Sequence, residues 1–205
     1  MKFSKFISYF FHPINFPIIG SIIYFLIVPE YIFKPQEHII IAVILIGTYI
    51  FPMFLLLLLK RFEMINSYHM VTIEERKFPT LLFISISYIL GNWLYKSTVV
   101  DILSLFYFGY GLALLCSYLL LYFKTKMSLH TAAIGGLVGF LICFSYYYKI
   151  NLIVLLSIFV LISGLIASSR LRLNAHNSLE VFLGYIIGIL SQFIVFCIYM
   201  YIYII

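Results

Sequence analysis

His176 and Glu180 stand four residues apart, one helical turn, so their side chains share a face if the stretch is helical. A carboxylate behind an imidazole fixes the ring tautomer and favours the imidazolium, which equips the histidine as nucleophile or base. Ser169-Arg170 lies just upstream, with Arg172 beyond it. An arginine fork can clamp phosphoryl oxygens. In the last fifty residues only Arg170, Arg172 and Glu180 carry a formal charge. Such a cluster between long apolar runs marks a candidate site. A second histidine, His130, closes the segment Lys124-Thr125-Lys126-Met127-Ser128-Leu129-His130, and a second imidazole can protonate a leaving oxygen. Two histidines, a carboxylate and several cations are the set that phosphomonoester hydrolysis without a metal requires.

The chain that must position these groups is strongly apolar. Of its 205 residues 64% are hydrophobic and 10% charged, with a mean hydropathy of +1.13. A soluble domain carries roughly 25% charge. The composition therefore predicts an all-α, polytopic membrane helix bundle forming a single domain over 1–205, with membrane lipids as its surroundings. The net charge of +6 needs no nucleic-acid partner, because the cytoplasmic loops of membrane proteins are basic. Cys116, Cys143 and Cys197 fall inside apolar runs without a second Cys or a His at ligand spacing, so no metal site or other cofactor is expected. No small-residue cleavage site follows the N-terminal Met1-Lys2-Phe3-Ser4-Lys5, so no cleavable signal is expected.

Residues 1–15 read as an interfacial lead-in carrying Lys2, Lys5, His12 and Pro13. Seven spans are predicted, near 16–33, 39–59, 79–95, 100–123, 131–148, 152–168 and 179–204, each about long enough to cross the hydrocarbon. Pro79 is expected to open the third. Gly135 and Gly139 in the fifth, and Gly184 and Gly188 in the seventh, have the spacing of close helix contacts. Seven spans put segments 60–78, 124–130 and 169–180 on the face of the N-terminus. That face holds Lys2, Lys5, Lys60, Arg61, Arg76, Lys77, Lys124, Lys126, Arg170 and Arg172; the other holds Lys34, Lys96 and Lys149. The excess overlaps the candidate site, so charge alone leaves the orientation open.

Here the residues resemble a known family. The type 2 phosphatidic acid phosphatase superfamily, which includes vanadium haloperoxidases, carries Ser-Arg, five residues, His, three residues, Asp; this chain carries Ser169-Arg170, five residues, His176, three residues, Glu180. The family's Pro-Ser-Gly-His is echoed by Met127-Ser128-Leu129-His130, and the bacterial branch reading Lys-x-Ser-Leu-His looks most similar. The resemblance spans about residues 120–190 and implies a motif-bearing core over about 100–205. It further implies a multi-pass protein of the bacterial cytoplasmic membrane that hydrolyses a lipid phosphate or polyprenyl (di)phosphate. By the same resemblance His176 is the nucleophile that forms a phosphohistidine, Glu180 orients it and His130 is the general acid. Arg170 binds phosphoryl oxygens and Ser128 donates a hydrogen bond to one. The family's first motif, Lys, six residues, Arg-Pro, has no match. Lys124 and Lys126 are the nearest cations, with Lys126 favoured; Arg76-Lys77-Phe78-Pro79 echoes the motif two spans earlier. Leu129 replaces a glycine whose backbone would approach phosphate closely. Glu180 is about one CH₂ longer than the family's Asp, enough to matter in a positioned site.

Simpler roles compete with these. Glu180 complements a helix dipole equally well, Glu74 to Lys77 suit a solvated helix start, and His12, His38 and His69 suit an interface. A catalytically degenerate scaffold or anionic-lipid-binding subunit is the alternative function. A transporter is disfavoured, since no span carries a charge near its middle and no inverted repeat is visible.

Overall fold

A computed structural model describes residues 2–65, 72–97 and 99–204. The described residues are helical with no strand, and include seven stretches long and apolar enough to cross a membrane: Lys2–Ile27, Lys34–Arg61, Ile73–Lys96, Asp101–Tyr122, Leu129–Tyr148, Ile153–Arg172 and Ser178–Ile202. This is a multi-pass membrane protein. The first stretch comprises α1 (Lys2–Phe10), a 3-10 turn at Pro13–Asn15 and α2 (Phe16–Ile27). The second comprises α3 (Lys34–Leu45), a π segment at Ile46–Ile50 and α4 (Phe51–Arg61). Then follow α5 (Ile73–Lys96), α6 (Asp101–Tyr122), α7 (Leu129–Tyr148), α8 (Ile153–Arg172) and α9 (Ser178–Ile204).

Three expected boundaries are corrected. The first span stops at Ile27 rather than 33: Val28 precedes Pro29, and the ring of a following proline drives the backbone extended, as Val28 is at φ −62°, ψ 128°. The third does not open at Pro79. Thr72 accepts from the Glu75 backbone N–H at 3.3 Å and Glu75 Oε2 accepts from the Thr72 N–H at 3.5 Å, a capping box that starts α5 at Ile73 and leaves Pro79 inside it. The sixth runs through Arg172 instead of ending at 168, so Ser169 and Arg170 are helical. Asn66 and His69 lie outside the described residues.

The core centres on α6, α7 and α9, and α7 packs most extensively on α9. Glycine makes that contact possible. A Cβ on Gly184 would stand 2.5 Å from the Ser128 carbonyl oxygen and from Thr131 Oγ1, and one on Gly188 would strike the Ala132 carbonyl. Gln192 is buried on α9 and donates from Nε2 to the Phe106 carbonyl at 3.1 Å, tying α9 to α6. Ser21 and Tyr107 lie 2.8 Å apart and join α2 to α6. At the far end Tyr199 Oη donates to Asp101 Oδ2 at 2.9 Å, so the end of α9 meets the start of α6.

Candidate functional site

The site is built where α7 and α9 begin. Ser128 caps α7, its hydroxyl oxygen accepting from the Thr131 N–H at 3.5 Å. Its own backbone N–H donates to the Glu180 carbonyl at 3.0 Å, and Thr131 Oγ1 donates to the Val181 carbonyl at 2.9 Å. These bonds cross between the two helix starts, while Gly184 lets the backbones approach. His130, in the first turn of α7, is thereby held beside the first turn of α9.

A second capping box orders the turn before α9. Asn177 Oδ1 accepts from the Glu180 N–H at 2.8 Å, and Glu180 Oε2 accepts from the Asn177 N–H at 3.3 Å. The same carboxylate oxygen lies 2.8 Å from His176 Nδ1. A carboxylate only accepts, so Nδ1 carries the proton and Nε2 keeps its lone pair. The His176 side chain is 3% exposed. Burial holds its pKa below the ordinary histidine range; Arg170 and Arg76 push the same way, and the bond to Glu180 opposes them. The helix-end role and the orienting role of Glu180 thus coincide in one side chain.

Arg170 arrives from the last turn of α8. Asn174 turns the chain with φ 51°, a conformation asparagine tolerates, and the Ala175 N–H returns to the Arg170 carbonyl at 3.2 Å. The Arg170 Nη1 donates to Ser8 Oγ at 2.6 Å. Its Nε–H is buried and meets no acceptor among the described residues. His130 Nε2 lies 3.1 Å from the Ser8 carbonyl oxygen and 3.4 Å from Ser8 Oγ. A carbonyl cannot donate, so this His130 nitrogen carries a proton. The His12 ring meets His130 edge-on, with centroids 5.4 Å apart.

The structure therefore gathers His130, His176, Glu180 and Arg170 at one end of the bundle. Ser128 is fully buried beneath them as a helix cap. Lys124, exposed at φ 57°, and half-buried Lys126 lie in the turn before α7, and neither side chain makes a hydrogen bond or ion pair among the described residues. Arg172 is exposed. Arg76 is a further cation near the site, and its charge acts on Arg170 and His176. Glu74 to Lys77 are only in part a solvated helix start. Lys77 Nζ pairs with Glu74 at 2.8 Å, whereas Glu75 is buried and Arg76 half-buried. No family model, curated protein or solved structure matches this chain.

Sequence reasoning missed Ser8 and His12 and gave Arg76 little weight. The signal for Arg76 is Thr72-Ile73-Glu74-Glu75, a capping box that starts α5 early enough to carry Arg76 on its second turn. The signal for Ser8 is the Ser4, Ile7, Ser8 face of α1, spaced for one side of a helix. No spacing rule connects His12 to His130.

Proposed function

We propose that this chain is a phosphatase-like protein of the bacterial cytoplasmic membrane, related to the type 2 phosphatidic acid phosphatases, that hydrolyses a lipid phosphate or polyprenyl (di)phosphate through a phosphohistidine. The observation that carries the proposal is the Arg170 guanidinium. It is a fixed cation with an unpartnered buried N–H, set at the end of the bundle that also holds a carboxylate-backed imidazole and a second imidazole. An oxyanion supplies what Arg170 lacks.

The reaction we propose uses the Nδ1–H of His176 and the Nε2–H of His130. The phosphoryl group lies against Arg170, with Arg76 adding positive charge. His176 Nε2 attacks phosphorus with its lone pair while Nδ1–H stays bonded to Glu180, which stabilises the charge on the phosphorylated ring. The bond from phosphorus to the leaving oxygen breaks. The negative charge of a bound phosphate ester favours the imidazolium form of His130, whose Nε2–H passes to that oxygen and releases the alcohol. Neutral His130 then takes a proton from water, the resulting hydroxide attacks phosphorus, the P–N bond breaks, and phosphate leaves with His176 neutral again.

The test is phosphate release from phosphatidate and from a polyprenyl diphosphate by the purified protein in nanodiscs. The expected result is release that His176→Ala and Arg170→Ala abolish. Absence of release from both substrates, or release unchanged in His176→Ala, refutes the proposal. Ser8 gives the alternative its footing: Arg170 Nη1 and His130 Nε2 are both engaged by Ser8, as in a scaffold that keeps an anion pocket without turnover. A scaffold binds phosphate and releases none.

A further inference from the structure

The segment lying against Arg170 and His130 is α1, which carries Ser8. Its inner face buries only Ser4 and Ile7, and it packs chiefly on α8. Phe3, Phe6, Tyr9 and Phe10 are all exposed. Between α1 and α2 the chain breaks at His12 and Pro13: His12 is extended at φ −66°, ψ 140°, and Pro13 has no N–H to continue the helix. A short helix on a proline joint, held by one face, belongs to the part of a fold that opens at low cost.

Ser8 makes that opening consequential. Its two oxygens take the Nη1–H of Arg170 at 2.6 Å and the Nε2–H of His130 at 3.1 Å. These are the two donors that a phosphoryl oxygen and a leaving oxygen would need, if the site binds phosphate as proposed above. Ser8 also stays short of satisfying the guanidinium, whose buried Nε–H has no acceptor among the described residues. Resting on that functional reading, we propose that α1 is an autoinhibitory gate in which Ser8 stands in for the phosphate ester, so that substrate binds only when α1 swings off α8 about Pro13. The apparent affinity for phosphate is then the intrinsic affinity reduced by the fraction of chains in which α1 is open.

The test uses the full chain in nanodiscs and inorganic phosphate as probe, with affinity read from the phosphate-dependent rise in Tm. Ser8→Ala keeps a good helix former and removes the hydroxyl; Ile7→Ser loosens α1 without touching the site. Both are expected to tighten phosphate binding about threefold to tenfold, because each removes part of the closed population. Ser8→Asp puts a carboxylate against Arg170 and is expected to weaken binding about tenfold or more. Spin labels at Phe6→Cys and Leu171→Cys, with the native cysteines replaced by serine, should move apart on phosphate saturation. If Arg170-dependent binding stays the same or weakens in Ser8→Ala and Ile7→Ser, or the label distance stays fixed on saturation, the gate is overturned and the phosphate site stands. If phosphate binds none of these proteins, or binds as well in Arg170→Ala, the site reading falls and takes the gate with it.

Discussion

Glu180 has two jobs that can be separated by substitution. It closes the capping box with Asn177, and it holds His176 Nδ1 at 2.8 Å. Glutamine also completes a capping box, so Glu180→Gln leaves the start of α9 intact and removes only the charge. The amide then presents either an oxygen or an NH₂ to Nδ1. When the NH₂ faces the ring, the Nε2–H tautomer is favoured and the nucleophilic lone pair points the wrong way. A charge-assisted hydrogen bond is worth about 1.5–3 kcal/mol against about 1 for a neutral one. Adding the wrong tautomer, the loss approaches the roughly 10⁴-fold fall seen when a triad carboxylate becomes an amide. Asn177→Ala does the converse. It removes the cap from Glu180 N–H, costing about 1 kcal/mol of stability, and leaves the His176–Glu180 pair in place. Steady-state phosphate release and thermal unfolding, measured on both variants, separate the two jobs. Glu180→Gln should lose about 10³–10⁴-fold in kcat with little change in Tm, and Asn177→Ala should lose Tm with kcat within a fewfold of wild type. Equal kcat losses in the two variants, or a Glu180→Gln protein within about threefold of wild-type kcat, would refute the assigned role of the carboxylate.

On the proposed mechanism acid should switch the reaction off through His176, because the attacking ring must be neutral. Its folded pKa lies below the unfolded value of about 6.5, so its stability contribution is present above that value and fades as pH falls toward the folded pKa. The acid limb of kcat/KM should accordingly have its midpoint below about 6.5, and Arg76→Gln, by removing one of the charges that push His176 down, should move that limb to higher pH; an unmoved limb would separate Arg76 from the site. Gly184→Ala should cost about 1–3 kcal/mol and depress activity, because the added Cβ falls 2.5 Å from the Ser128 carbonyl oxygen and from Thr131 Oγ1, whose bond to the Val181 carbonyl ties α7 to α9. Gly164→Ala, where nothing lies within 4 Å of the added Cβ, should be neutral in the same unfolding assay. Gln192→Leu should lose on the order of 0.6 kcal/mol in unfolding, the average for a hydrogen bond between membrane helices.

Much of the scaffold is legible in the sequence, because long apolar runs have few ways to satisfy their backbones in lipid. The seven spans, and the convergence of residues near 130 and 170–180, follow from apolar length and parity. The pairing of His176 with Glu180 is expected from a four-residue spacing, but it is made differently: His176 lies in the turn before α9, and the capping box at Asn177 brings the Glu180 carboxylate back to it. Boundaries are harder, since the capping box at Thr72 and the asparagine turn at Asn174 decide them, and both are single-residue effects beside runs of twenty apolar residues. The cations show the limit most clearly. Lys126 lies two residues before Ser128 in the chain, which favours it on sequence, whereas Arg76 is distant in sequence and comes within range of His176 on an α5 that starts six residues before Pro79. Ser8 was equally hidden: the α1–α8 contact joins residues 162 apart, and sequence periodicity carries no information about which helix an amphipathic face will meet.

The most direct measurement is the state of residue 176 during turnover. A radiolabelled lipid phosphate mixed with the protein, quenched in alkali and digested, should yield a phosphopeptide that contains His176, survives alkali and decays in acid, as a phosphoramidate does; the label should vanish in His176→Ala. Phosphate release that proceeds with no labelled His176 peptide, or a label that persists in His176→Ala, would contradict a mechanism in which this imidazole takes the phosphoryl group.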